Sequence, residues 1–215
     1  MNGLSQNVSA KDNVFCCRKP SVVLRSMLIG LFVSIVIFLS VGIAAESPDD
    51  GFYALLQKGN LTFIQPEAFS IVPIRENRDV GYNYALKHQK EKLEIRYYIL
   101  PLADNKKLDS TVFWKSNTAT VVFNVSSGSG LPLNKEIFSV PQKALKIYNT
   151  DAGAFAISQT HQSEFGMEYK HCSIISLYKK GNAQAMLFFL YDDIEAITEF
   201  MNKAQYSLRF KIAKE

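Results

Sequence analysis

Four side chains between positions 161 and 171 carry the most reactive chemistry in this sequence: His161, Glu164, Glu168 and His171. Imidazole nitrogens and carboxylate oxygens are ligands that zinc accepts, and a loop between two strands could fold them together. Their spacing matches no zinc motif, however, and polar loops normally contain such residues. The sequence therefore predicts neither a bound metal nor a cofactor, and these four residues are its candidates for a metal site.

A thiol lies next to the last of these residues, since Cys172 follows His171 directly. Consecutive side chains on a strand point to opposite faces, so these two cannot act on each other as nucleophile and base. His161 could approach one of them across the connection, but the surrounding residues carry no cysteine-nucleophile signature. We therefore predict no catalytic residue. A small envelope hydrolase or metal-binding protein that uses residues 161–172 is the alternative function.

The elements that must position this segment are predicted from the spacing of apolar residues. A hairpin of residues 82–86 with residues 93–100 is indicated by alternation along its second strand. Three further strands are predicted at 154–159, 171–178 and 184–191, the last two joined by a tight turn at 179–182. Helical spacing predicts helices from Asp109 or Ser110 to about Ser126, over 141–148, and from about Ile194 with Asp192 or Asp193 as its cap.

The fold class follows from the order of these elements. The strand at 184–191 is apolar on both alternating faces, so its sheet needs a layer over each face. The main strand pairings are antiparallel, and strands and helices are partly segregated along the chain. We therefore predict an α+β domain, in which helices cover both faces of an antiparallel sheet in a three-layer α/β/α sandwich.

Three tyrosines of the first hairpin are the candidate partner-binding residues: Tyr82, Tyr84 and Tyr98. Along the second strand of the hairpin, apolar residues alternate with Glu94, Arg96 and Tyr98, which predicts one wetter face. Aromatic side chains are enriched where partners bind, although tyrosines in strands more often fill a core. The hairpin is therefore where we expect a partner to be recognised.

An uncharged run of 19 residues at 27–45 predicts export from the cytoplasm. Basic residues precede it, small residues end it, and the polar residues 46–50 follow. The run suits either a signal peptide cleaved after Ala44 or an uncleaved signal anchor, which would keep membrane contact through residues 27–45. Residues 1–45 are therefore the targeting segment, and residues 46–215 are one domain in the periplasm or extracellular space.

Charge and cysteine content exclude two classes of protein for the exported domain. The chain has 24 basic and 20 acidic residues, but residues 1–45 hold four bases and one acid, which leaves 20 against 19. A nearly neutral domain offers no basic excess for nucleic acid, so we expect no nucleic-acid partner. Only Cys172 lies beyond residue 45, which leaves no pair for an intramolecular disulfide there.

The order of elements resembles the PsbP-like fold of photosystem accessory proteins and Ran-binding Mog-type proteins. The resemblance rests on Phe-Ile-Gln-Pro-Glu-Ala-Phe at 63–69, a hairpin, a helix, Tyr-Asn-Thr-Asp-Ala-Gly-Ala at 148–154, an antiparallel meander and a terminal helix. It covers roughly residues 60–208 and carries over no functional residue. It implies an accessory or binding role. We therefore expect a non-catalytic exported protein that binds an unidentified protein or small molecule.

Overall fold

A computed structural model of the protein describes residues 48–104, 106–126, 137–160 and 163–212. The chain divides into two units, Met1–Ala45 and Glu46–Glu215, and every described residue belongs to the second unit. The predicted signal or anchor run at 27–45 lies outside the described residues, as does His161. Among the helices within the described ranges, none is both long and apolar enough to cross a membrane.

The second unit is an α+β domain, as predicted. Its described helices are α1 (Pro48–Lys58), α2 (Thr111–Ser126), α3 (Gln142–Tyr148) and α4 (Ile194–Ala204). Its described strands are β1 (Leu61–Phe63), β2 (Phe69–Ile71), β3 (Tyr84–His88), β4 (Leu93–Pro101), β5 (Phe138–Ser139), β6 (Ala152–Gln159), β7 (His171–Lys179), β8 (Ala183–Tyr191) and β9 (Leu208–Phe210). The predicted strands and helices are confirmed to within a few residues at each end. Helix α1 and the short strands β5 and β9 were not predicted.

Seven of the described strands form one antiparallel sheet in the order β2-β3-β4-β8-β7-β6-β5. The two predicted hairpins, β3–β4 and β7–β8, are neighbours because β4 pairs with β8 from Leu93 opposite Tyr191 to Pro101 opposite Ala183. The predicted turn between β7 and β8 is present. Its Gly181 has a φ of 71°, a left-handed conformation that glycine adopts without strain. Strands β1 and β9 pair with each other in a separate two-stranded sheet.

Both faces of strand β8 are buried, as its apolar residues at odd and even positions predict. Its odd-numbered side chains belong to a first core that includes Phe52 of α1 and Ile197 of α4. Its even-numbered apolar side chains belong to a second core that includes Val122 and Val125 of α2. Alternate side chains of a strand point to opposite faces, so these two cores lie on opposite faces of the sheet.

Helix α2 begins where the sequence predicts because Ser110 caps it. The Ser110 hydroxyl accepts a hydrogen bond from the backbone N–H of Phe113 at 3.1 Å. Asp109, the other predicted cap, binds the turn between β7 and β8 instead. β-branched residues lower the intrinsic propensity of this helix, but burial of one side against the sheet stabilises it, through Trp114, Thr118, Val122 and Val125.

Helix α4 also begins where predicted, and Asp193 is its cap. The Asp193 carboxylate accepts a hydrogen bond from the backbone N–H of Glu195 at 2.9 Å. The predicted capping pair of Asp192 with Glu195 does not form. Asp192 instead accepts hydrogen bonds from the backbone N–H of Lys170 at 3.0 Å and the ammonium of Lys92 at 2.8 Å. Asp192 therefore ties the start of β7 to the start of β4.

Candidate functional site

The predicted metal candidates Glu164 and Glu168 lie in a loop at residues 163–170, which we call the glutamate loop. It packs against residues 72–83, which we call the arginine loop. Arg78 binds Glu164 through its guanidinium and its backbone N–H, and Arg75 binds Glu168. These hydrogen bonds hold the pKa of both carboxyl groups below the ordinary value. Two of the four candidate metal-binding residues are therefore engaged by arginines.

A third carboxylate fixes the two loops to each other from the other side. Asp79 of the arginine loop accepts hydrogen bonds from the hydroxyl of Ser163 at 3.0 Å and the backbone N–H of Phe165 at 3.1 Å. Within the arginine loop, the backbone N–H of Arg75 donates to the Tyr82 hydroxyl at 2.6 Å. The two loops are therefore held together by several hydrogen bonds, with donors and acceptors from each loop.

A buried ion pair lies beneath the two loops, on strand β4. The Nε of Arg96 donates to Oε1 of Glu94 at 2.6 Å, and the Tyr169 hydroxyl donates to Oε2 of Glu94 at 3.0 Å. The guanidinium also donates to the Phe165 carbonyl and lies 4.8 Å from the ring centroids of both Phe165 and Tyr82. The side chains of Arg96 and Glu94 are only 5% and 4% exposed. Glu94 and Arg96, which the sequence placed on a face of the hairpin with more access to water, are therefore buried.

The imidazole of His171 and the thiol of Cys172 point to opposite faces of strand β7, as predicted. Cys172 is fully buried in the second core, and burial raises the pKa of its thiol. The ring of His171 lies on the other face, 5.6 Å from the ring of Tyr191. No group of three or more metal-binding side chains is present in the described part of the chain. The structure thus brings Glu164 and Glu168 into one loop but does not join His171 to Cys172.

The three candidate partner-binding tyrosines do not share an exposed surface. Tyr84 is 2% exposed and stacks on Phe52 of α1, with ring centroids 4.1 Å apart. Tyr82 is buried beneath the arginine loop against Arg96, and Tyr98 is half-buried beside the second core. Tyr82 and Tyr84 are therefore core residues, as strand tyrosines more often are, and recognition of a partner at the hairpin stays a prediction.

A solvent-exposed groove of about 340 Å³ lies between residues 64–69 and the end of α4, and we call it the α4 groove. Its apolar lining comes from both segments and consists of Ile64, Phe69, Phe200 and Tyr206. Ile64 is 62% exposed, although it is a large aliphatic side chain. Ligand sites are commonly clefts of about 300–1,000 Å³ with mostly apolar walls, so this groove is the candidate binding site.

The wall at residues 64–69 is fixed by hydrogen bonds at both ends. The backbone N–H of Ile64 donates to the Ser207 carbonyl at 2.8 Å, which ties the wall to the start of β9. The Gln65 side chain donates to the Phe69 carbonyl at 2.9 Å. Ala68 has a φ of 63°, and this left-handed turn returns the chain to the sheet edge at Phe69. The groove is therefore bounded by an anchored wall.

Charged side chains line the groove with more positive than negative charge: Glu67, Lys203 and Arg209. The Lys203 ammonium binds Glu199 at 2.6 Å, and both Glu199 and Glu67 raise the pKa of Lys203. Arg209 is half-buried as a residue, and its guanidinium has no hydrogen-bond acceptor among the described residues. Its backbone is held in place by pairing of Arg209 with Thr62. Arg209 is therefore a positioned cation without a carboxylate.

A buried imidazole supports the two phenylalanines of the groove from behind. The ring of His88 lies 5.0 Å from the ring of Phe69 and 4.3 Å from the ring of Phe200. Its Nδ1 accepts a hydrogen bond from the backbone N–H of Glu91 at 2.9 Å, so its Nε2 carries the proton. That Nε2 is buried without a partner among the described residues. A buried polar donor thus lies directly against the aromatic wall.

Sequence reasoning missed the groove because its walls come from opposite ends of the domain. No local motif joins residues 64–69 to residues 200–209. The available signal was that two aromatic residues, Phe200 and Tyr206, fall near the C-terminal end of the last predicted helix. No protein-family model matches the chain, and no curated protein sequence matches it significantly.

Proposed function

We propose that the protein is an exported, non-catalytic binding or accessory protein that holds its ligand in the α4 groove. The observation that carries the proposal is an open groove in which aromatic and aliphatic side chains from two segments face solvent beside three charged side chains. Exposed apolar surface costs free energy in water, about 25 cal/mol for each Å². An apolar ligand that covers Ile64 and Phe200 would recover that free energy.

The reactive side chains around residues 161–172 support a binding role over the alternative hydrolase. Glu164 and Glu168 are engaged by arginines, and the thiol of Cys172 is buried in the second core. A nucleophile has to reach its substrate and lie beside its base. Cys172 is buried away from any substrate, and the ring of His171 lies on the opposite face of β7, so neither condition is met. The described groups of this segment therefore serve the packing of the glutamate loop.

The remaining parts of the proposal concern architecture and location. We propose that the two cores and their covering helices form a three-layer α/β/α sandwich of the PsbP-like type. The presence of α1 and α4 on one core and α2 on the other supports this. Export rests on the run at 27–45, and the nearly neutral charge beyond it supports a partner other than nucleic acid.

The experiment is photolabelling of the full chain in intact cells with a neutral aliphatic diazirine, followed by peptide mass spectrometry. We expect labelling of the wall at residues 64–69. Phe200→Ala removes an aromatic side of the groove and should reduce that labelling at least fivefold. Phe123→Ala is the matched control, because Phe123 is an exposed aromatic residue of α2 that lies outside the groove. Equal labelling of all three proteins would reject the groove as the ligand site.

A further inference from the structure

We infer that the α4 groove selects a ligand with a carboxylate at one end of an aliphatic chain, as in a fatty acid. The inference rests on the proposed function, because it assigns a ligand class to the same groove. Two observations carry it: the arginine at the rim has no acceptor, and the walls beside it are apolar.

Arg209 differs from every other arginine in the described ranges. Arg75, Arg78 and Arg96 each bind a glutamate of the same domain. The Arg209 guanidinium has no such partner among the described residues, although its backbone is held by the β1–β9 pairing. Guanidinium presents a planar pair of donors that matches a carboxylate in a bidentate arrangement. A ligand carboxylate would accept hydrogen bonds from Arg209, as glutamate carboxylates do from the other three arginines.

The other charges of the groove leave Arg209 as the available cation. Lys203 lies in the last turn of α4, where a cation is favoured by the helix dipole, and it binds Glu199. Glu67 also acts on Lys203, which balances the charge at that end of the groove. Lys203 already has the carboxylates of Glu199 and Glu67 nearby, so Arg209 is the cation of the groove without a carboxylate among the described residues.

The apolar walls of the groove indicate that the other end of the ligand is an aliphatic chain. Phe69, Phe200 and Tyr206 offer ring surfaces, and Ile64 offers an exposed aliphatic side chain. A volume of about 340 Å³ is at the lower end of ligand sites, which suits one unbranched chain better than a branched or polycyclic ligand. Burial of each methylene contributes about 0.8 kcal/mol, so the chain supplies affinity and the carboxylate supplies selectivity.

The test compares two photoreactive probes on the full chain in a neutral detergent: a diazirine-bearing fatty acid and the alcohol of the same length. We expect the acid to label residues 64–69 and 200–209 about tenfold more than the alcohol. Arg209→Gln should remove this preference by lowering labelling by the acid to the level of the alcohol. Lys211→Gln is the matched control, because Lys211 is exposed on the same segment but does not line the groove. It should retain the full preference.

The outcomes separate this inference from the proposed function. Equal labelling by acid and alcohol would overturn the carboxylate assignment and leave the groove as an apolar site. Labelling of the groove by neither probe would overturn both. Arg209→Lys keeps the charge but loses the bidentate donors, so it should give a preference between those of wild type and Arg209→Gln. An identical preference in Arg209→Gln and wild type would also refute the role of Arg209.

Discussion

Removal of the charge on Glu94 would test whether the buried Glu94–Arg96 pair holds the two loops on the sheet. Glu94→Gln preserves the size of the side chain but leaves the Arg96 guanidinium buried without its carboxylate. It also replaces the oxygen that accepts from Tyr169 or the oxygen that accepts from Arg96 with an amide nitrogen, which cannot accept. We therefore expect a large loss of stability from a nearly isosteric change.

The magnitude follows from the burial of the pair. Two unit charges about 4 Å apart attract by roughly 4 kcal/mol at an effective dielectric constant of about 20. Removal of one partner of a buried ion pair costs about 3–5 kcal/mol, because an uncompensated charge remains in the interior. In a domain of this size, each kcal/mol lowers the Tm by about 2–4 °C. Glu94→Gln should therefore lower the Tm by about 6–20 °C.

The assay is thermal unfolding followed by circular dichroism, with two comparisons. Glu199→Gln is the control, because Glu199 forms its ion pair with Lys203 on the surface and should leave the Tm unchanged. The double variant Glu94→Leu with Arg96→Met removes both charges and should recover most of the loss. A Tm for Glu94→Gln within 2 °C of wild type would refute the reasoning, as would a double variant less stable than Glu94→Gln.

Two further predictions concern titratable side chains of strand β7, Tyr178 and Cys172. Burial and, secondarily, the neighbouring Asp109 raise the pKa of Tyr178 from 10.0 to about 12, so the unfolded chain loses this proton before the folded domain does. Stability should consequently fall as the pH rises from about 10 to about 12, and Tyr178→Phe should flatten this part of the curve of Tm against pH; an unchanged slope would contradict it. Iodoacetamide should alkylate Cys172 slowly in the native protein and rapidly in urea, as measured on its peptide, and comparable native and denatured rates would contradict its burial.

Most strands and helices of the second unit could be predicted, because burial imposes a visible pattern on them. Strand β8 is buried on both faces, and its uninterrupted apolar residues indicated this directly. Helix α2 was predicted despite its β-branched residues, because the cap at Ser110 and the spacing of buried residues agree. Helix α1 was missed because it follows polar residues and contributes few side chains to the first core, chiefly Phe52 and Leu56. That omission also made Tyr84 look available to a partner.

The errors at the candidate sites share one physical cause. Alternation along a strand reports which side chains are polar, but it does not report whether water reaches them. Glu94 and Arg96 looked like a wet face, yet the glutamate loop and arginine loop exclude water from them and supply the missing hydrogen-bond partners. Nothing near positions 94–96 in sequence indicates that Phe165 and Tyr169 provide this cover.

The α4 groove is the converse case, and the contrast explains where function is to be sought. Ile64 is apolar and exposed, while Arg209 is charged, half-buried and without an acceptor among the described residues. A ligand in the groove would cover Ile64 and supply Arg209 with an acceptor, which the packing of the described residues does not do. The buried Glu94–Arg96 pair, by contrast, is satisfied within the domain and needs no ligand. An exposed apolar side chain and a cation without an acceptor therefore indicate the ligand site, whereas a buried ion pair that is satisfied within the domain does not.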